Sequence, residues 1–435
     1  MSLRLFRWLI LFGTMSLCYY TPVTDSGTVT SNALRYRPDF LLFPVAALIL
    51  AIWWIHRKQI GGTIARPVVA SFYMYGAFIV LCGLSTVLAM VFLDIPLTRL
   101  AEVSAYMLIG CYVLALGTWV EASRSERWRI RIAWALALTP LLPIVITGLW
   151  FVNIDAADFI VHTLLKVPED QPFVAIAGRY YGLSANPAVT TDICIVAAAF
   201  VWIALIIAFR EGRWKRATAL ILYLAAMLLI TLWTEVRSSY VALIVVFLFG
   251  SFLMGRSKGR LIRMSLTMGL IVVLALAGYA SMPSSAKLGL ALQMANDDRT
   301  PQWKYYLSVL PSVPLGAGLG YEERYTPPFV LYSDIRMPPH EEFLVAWMNA
   351  GMPGACLTAG FFLIIVVWGY RRVQSAGPPD AHQMINVAAL VAFVGLWTSH
   401  LFLDMPFGIP IHSILLGILL SGSGSRLSAK RFMPV

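Results

Sequence analysis

Stretches of about twenty apolar residues recur along the whole chain, separated by short segments that hold most of the charge. A run of that length crosses the ~30 Å hydrocarbon core of a bilayer as one helix. Inside lipid every backbone N–H and C=O must find a partner within the protein, which leaves helices or closed barrels. Barrel strands alternate in and out over roughly ten residues, so runs twice as long dictate helices. Composition agrees: 13% of residues are charged, against about 25% in soluble domains, and the mean hydropathy is +0.75. The 435 residues therefore read as a single all-α polytopic membrane domain, 1–435. Length alone would have suggested roughly three soluble domains.

About twelve spans are expected, at 6–22, 39–56, 68–93, 100–120, 132–152, 190–209, 217–235, 238–254, 262–281, 343–370, 385–403 and 407–422. The first run follows Arg4 and Arg7 but meets no small-x-small cleavage site, so it is read as a retained span. Placing both termini in the cytoplasm puts 22 of the 33 basic residues on that side, with only Glu121, Glu126, Glu211 and Asp380 to oppose them. This is the asymmetry expected of cytoplasmic loops. It also accounts for the net charge of +11 without nucleic acid. Two large segments, 153–192 and 281–342, then face outward and are expected to be partly helical. The inner loops are short basic tethers, so any chemistry belongs on the outer face.

Among the basic residues left outside, Arg237 stands in Trp-Thr-Glu-Val-Arg-Ser-Ser-Tyr, between two apolar runs too close for a loop. Glu235 and Arg237 therefore sit at the membrane boundary, where an ionisable group marks a functional site or a structural ion pair. Gly316, Gly318 and Gly320 could let backbone approach an anion, or simply form a tight turn. His340 lies between Pro338-Pro339 and Glu341-Glu342 at the entry to a span. A histidine there can take a proton near neutral pH, with a carboxylate to orient it. His400 and His412 are flanked by apolar residues and read as structural. The five cysteines include no CxxC pair, and HExxH, Walker and GxSxG motifs are missing. No metal site and no cofactor is expected.

Four elements, in order, resemble the O-antigen ligase and O-antigen polymerase superfamily of bacterial inner membranes. The first is Gly178-Arg179 with Ser184-Ala185-Asn186-Pro187, similar to an Arg…Gly-x-x-Asn-Pro element. The second is Thr234-Glu235-Val236-Arg237-Ser238, similar to Thr-x-Ser-Arg-Gly, with Val236 and Ser238 as departures. The third is Arg299-x-x-x-Trp303 followed by Pro314-Leu315-Gly316-x-Gly318-x-Gly320. The fourth is His340-Glu341-Glu342-Phe343-Leu344 through Asn349-Ala350-Gly351-Met352-Pro353-Gly354, with Glu341 where Asn is common.

The resemblance implies a GT-C-like, inverting, metal-independent glycosyltransferase of a multi-pass inner membrane, with its active site facing the periplasm. The donor would be a glycan on undecaprenyl diphosphate and the acceptor a sugar hydroxyl. That hydroxyl belongs to lipid A–core in a ligase of lipopolysaccharide biosynthesis, or to a lipid-linked glycan in a polymerase; a flippase is the more remote alternative. Arg179, Arg237 and Arg299, with Asn186, would hold the donor diphosphate. His340 would be the base, assisted by Glu341, Glu342 or Glu235. Trp303 would stack on sugar, and the three glycines would support the site. Fixed guanidinium groups can take up developing negative charge in place of a metal.

Overall fold

The computed structural model describes residues 42–56, 65–94, 99–164, 187–234, 236–254, 299–321, 341–375, 381–401 and 410–421, with isolated positions between them. In chain order the helices are α1 (Leu42–His56), α2 (Arg66–Phe92), α3 (Arg99–Arg124), α4 (Glu126–Leu138), α5 (Leu141–Val152) and α6 (Ile154–Asp158). A π-helical turn, Phe159–Leu164, follows α6. Next come α7 (Pro187–Arg210), α8 (Trp214–Thr234), α9 (Arg237–Met254) and α10 (Arg299–Val309), which runs into a 3₁₀ turn at Leu310–Ser312. The chain ends on α11 (Glu342–Ser375), α12 (Ala381–His400) and α13 (Pro410–Ser421). No strand occurs among the described residues.

Eight described spans are long and apolar enough to cross a membrane, and α1 and α13 are shorter apolar helices. The all-α multi-pass reading therefore holds. The spans expected at 6–22 and 262–281 lie mostly outside the described residues. The span expected at 132–152 differs in detail. Its helix begins at Glu126 rather than 132 and is interrupted at Thr139-Pro140, between α4 and α5. Proline lacks the N–H needed to continue the ladder, and the Thr139 hydroxyl turns back to donate to the Ala135 carbonyl at 2.8 Å.

The helices sort into two compact units. Unit one comprises Met1–Pro44, Glu126–Asn296 and Pro378–Thr398. Its centre is α7, whose apolar window is 83% buried, with α4, α8 and α9 packed on it. Helix association in lipid depends on close fit and interhelical hydrogen bonds rather than on water exclusion. Both are present. A Cβ on Gly395 of α12 would come within 2.3 Å of the Val246 side chain, so only a glycine permits that approach. Arg129 donates to the Asn386 amide oxygen, Tyr223 to the Ala137 carbonyl at 3.0 Å, and Arg210 to the last carbonyl of α9, Met254, at 2.7 Å.

Unit two comprises Val45–Ser125, Asp297–Gly377 and Ser399–Val435. Here α11 packs on α2 and α13 on α3. Tyr75 of α2 sits edge-on to Phe361 of α11 and to Tyr112 of α3, with ring centroids 6.1 and 5.2 Å apart. The other face of α2, with Tyr73, Val80, Val87 and Phe92, is exposed. That apolar face is suited to lipid.

Candidate active site

The best-defined part of the candidate site lies in unit two, where the segment after α10 meets α11. Helix α11 is broken at Gly351, which has φ 70° and ψ −174°. In an unbroken helix the Met352 N–H would donate to the Met348 carbonyl. Here it donates instead to the Pro314 carbonyl at 3.0 Å, and the Met348 carbonyl accepts from the Ala317 N–H at 2.7 Å. One helical bond is thus exchanged for two bonds to the Pro314–Gly320 loop. Pro353 keeps the break open, because it has no N–H to restore the ladder.

On its other side the loop is tied to α2. The Ser85 hydroxyl donates to the Leu315 carbonyl, and the Leu319 N–H donates to the Thr86 hydroxyl at 2.9 Å. The glycines make this closeness possible. A Cβ on Gly316 would lie 2.6 Å from the Gly351 nitrogen, and one on Gly318 would lie 2.5 Å from the Thr86 Cα. Gly316, Gly318 and Gly320 all have φ near +80°, the region side chains avoid. The backbone that these glycines admit is the protein's own. They let the loop be pinned between α2 and α11.

A direct consequence is measurable. Gly318→Ala should cost roughly 2–5 kcal/mol, the sum of left-handed strain and of overlap with a backbone that cannot yield. Gly83→Ala, in the same helix as Thr86 but with nothing within 4 Å, should be neutral or slightly stabilising. Thermal unfolding of the two variants in detergent checks the contrast. Equal midpoints would mean that the loop is not held as described.

Below the loop is an apolar cluster of Tyr306, Leu310, Val313, Ala317, Tyr321, Leu344 and Met348. Trp303, the expected sugar-stacking residue, is partly buried against it together with Tyr305, Tyr325 and Trp347. The cluster fixes α10 against the start of α11. At that start, Glu341 accepts the Leu344 N–H at 2.7 Å, the bond of an N-cap residue. Burial holds its carboxyl above the usual glutamate range, with the backbone N–H groups of Leu344 and Phe343 opposing that shift. Glu342 is fully buried, and neither carboxylate oxygen meets a hydrogen-bond donor among the described residues. A buried carboxylate is costly unless it is paired or protonated.

Arg237 and Arg299 each open a helix, α9 and α10 respectively. The helix dipole disfavours a cation at that end and favours an anion. Arg237 is exposed and follows a turn of only two residues after α8. That turn is held by the Ser239 N–H on the Val236 carbonyl at 3.1 Å and the Tyr240 hydroxyl on the Leu232 carbonyl at 3.1 Å.

Arg179, Asn186, Glu235 and His340 lie outside the described residues. The structure brings together, within unit two, the three glycines, Trp303, Glu341 and Glu342. Sequence reasoning missed Ser85 and Thr86. The available signal was an adjacent hydroxyl pair inside the otherwise apolar Leu-Cys-Gly-Leu-Ser-Thr-Val-Leu.

Residues 222–359 match the family model described as O-Antigen ligase. No curated protein matches the chain. The matched stretch begins within α8 and ends within α11. It takes in Arg237, Arg299, the glycine loop, His340 and the Gly351 break, three of the four elements on which the resemblance was drawn. Over residues 222–359 the chain carries the domain of the O-antigen ligase and polymerase superfamily.

Proposed function

We propose that the chain is an inverting, metal-independent glycosyltransferase that moves a glycan from undecaprenyl diphosphate to a sugar hydroxyl at the periplasmic face of the bacterial inner membrane. The observation that carries this reading is the family match over the segment that contains both helix-opening arginines and the braced loop. The ligase reaction, onto lipid A–core, is the form we favour, because the matched family is described by that name. Extension of a lipid-linked glycan by a polymerase needs the same donor chemistry.

In this mechanism the acceptor hydroxyl gives its proton to His340 as its oxygen attacks the anomeric carbon. The anomeric C–O bond to the diphosphate breaks, and undecaprenyl diphosphate leaves from the opposite face, which inverts the centre. Negative charge grows on the bridging oxygen as this bond breaks. Arg237 and Arg299, with Arg179, receive it, each able to form paired hydrogen bonds to phosphate oxygens. Glu341, anchored at the head of α11, lies one residue after the base and can orient it. The braced loop and the Tyr306 cluster hold α10, and so Arg299, in place.

The test is transfer by purified protein in detergent, with a lipid-linked donor and either lipid A–core or a second lipid-linked glycan as acceptor. Product on lipid A–core, undiminished by EDTA, is the expected result. Product only on the lipid-linked glycan assigns a polymerase. EDTA inhibition reversed by magnesium would replace the arginine account with a metal-dependent one. An absence of product with either acceptor, in protein that moves the donor across a vesicle membrane, would assign a transporter.

A further inference from the structure

Unit one contains a groove of about 320 Å³ between α4, α7, α8 and α12, at the small end of the roughly 300–1,000 Å³ typical of ligand sites. We propose that it holds one acyl chain of an anionic phospholipid, with the lipid phosphate bound by Arg216. Almost all of its lining is apolar: Phe200, Ile203 and Ile207 from α7, with Ala137, Leu220 and Ile385 on the other walls. Ile207, Leu220 and Ile385 are half-exposed, so the groove is open to its surroundings. An apolar groove open along a membrane span is suited to a lipid chain.

The polar end names the headgroup. Two charged residues line the groove, Glu211 and Arg216. Glu211 is paired with Arg213 at 3.0 Å. Arg216 has no acidic partner among the described residues. Its guanidinium lies 5.8 Å from the centroid of the Trp134 ring, a cation–π contact that steers the group while leaving its N–H donors available. Arg127, Arg131 and Lys215 are exposed on the same end of α4 and α8. Trp134 lies three residues from Arg131 and seven from Arg127, so all three share one helix face. This end therefore has an excess of positive charge over an apolar slot, the complement of an anionic lipid and not of a zwitterionic one.

Within unit one the groove's charged end lies away from Arg237. Arg216 stands at the start of α8, and Arg237 follows its end. The helix between them, from Arg216 to Thr234, is about 27 Å long.

The experiment uses the full-length protein equilibrated with mixed phosphatidylglycerol and phosphatidylcholine vesicles, extracted in mild detergent, with retained lipids counted by native mass spectrometry. Wild-type protein should retain phosphatidylglycerol in preference to phosphatidylcholine. Arg216→Gln should lower that preference about fivefold, the worth of one basic residue at an anionic surface, and Arg216→Glu should abolish it. Ala204→Phe, which fills the slot from α7 without touching the charges, should reduce retention of both lipids. Arg216 is partly exposed, so its variants should fold, and matched unfolding midpoints check this. An undiminished preference in Arg216→Glu, or wild-type retention in Ala204→Phe, overturns the proposal.

Discussion

His340→Ala should reduce transfer by about 10²–10⁴-fold, the usual contribution of a positioned general base, while leaving donor binding almost unchanged. The separation is expected because the proposed roles are divided. The arginines hold the diphosphate, and the imidazole removes a proton only as the new bond forms. Loss therefore belongs in kcat rather than in KM. Rate against pH in the wild type should fall on the acid side, because a protonated base cannot take the acceptor's proton. Glu341 is the competing titrating group, because burial already lifts its carboxyl above the normal glutamate value. Glu341→Gln distinguishes the two. A limb that persists in Glu341→Gln belongs to His340, and one that vanishes belongs to Glu341. If His340→Gln turns over normally, the base role passes to a carboxylate, and buried Glu342 is the next to test.

The membrane helices were legible in the sequence because run length and charge are local properties. A stretch such as 190–209 contains no charged residue except Asp192, and its helix appears within three residues of that estimate, at Pro187–Arg210. Breaks were less legible. Pro140 and Pro353 both lie in apolar surroundings, and hydropathy does not register a missing N–H. The site was visible as motifs but not as an assembly. Gly316-x-Gly318-x-Gly320 offered two readings, an anion cradle or a turn. What decides its role is contact with Thr86, 232 residues away, and with the break at Gly351. No local pattern carries a pairing of that range. Glu341 was noticed as a departure from the family pattern; its service as the N-cap of α11 depends on where the helix begins, which the apolar run alone places only approximately. Glu342, beside it, is expected from the resemblance as one of three carboxylates that could assist His340. Its complete burial follows from packing against elements distant in sequence.

Arg237→Lys should be nearly as harmful as Arg237→Ala, each reducing transfer by about 10²–10³-fold, as removal of one preorganised donor to a developing anion does. The argument rests on geometry rather than charge. Lysine keeps the charge but presents a single ammonium on a flexible stem. It cannot offer two parallel N–H groups to the oxygens of one phosphate. Position favours the functional role over a packing role. Arg237 is exposed at the first residue of α9, so truncation leaves no cavity and the variants should express and unfold like wild type. The turn beside it also has bonds of its own: Val236 is buried, and Ser239 and Tyr240 bond the turn through backbone carbonyls. The opposing account makes Arg237 the partner of Glu235, closing the turn between α8 and α9. That account requires Lys to restore most of the activity lost in Ala, and Glu235→Ala to be as damaging as Arg237→Ala. Single-turnover rates at saturating donor decide between them. A lysine variant within a few-fold of wild type would remove Arg237 from the diphosphate grip and leave Arg179 and Arg299 to receive the leaving group's charge.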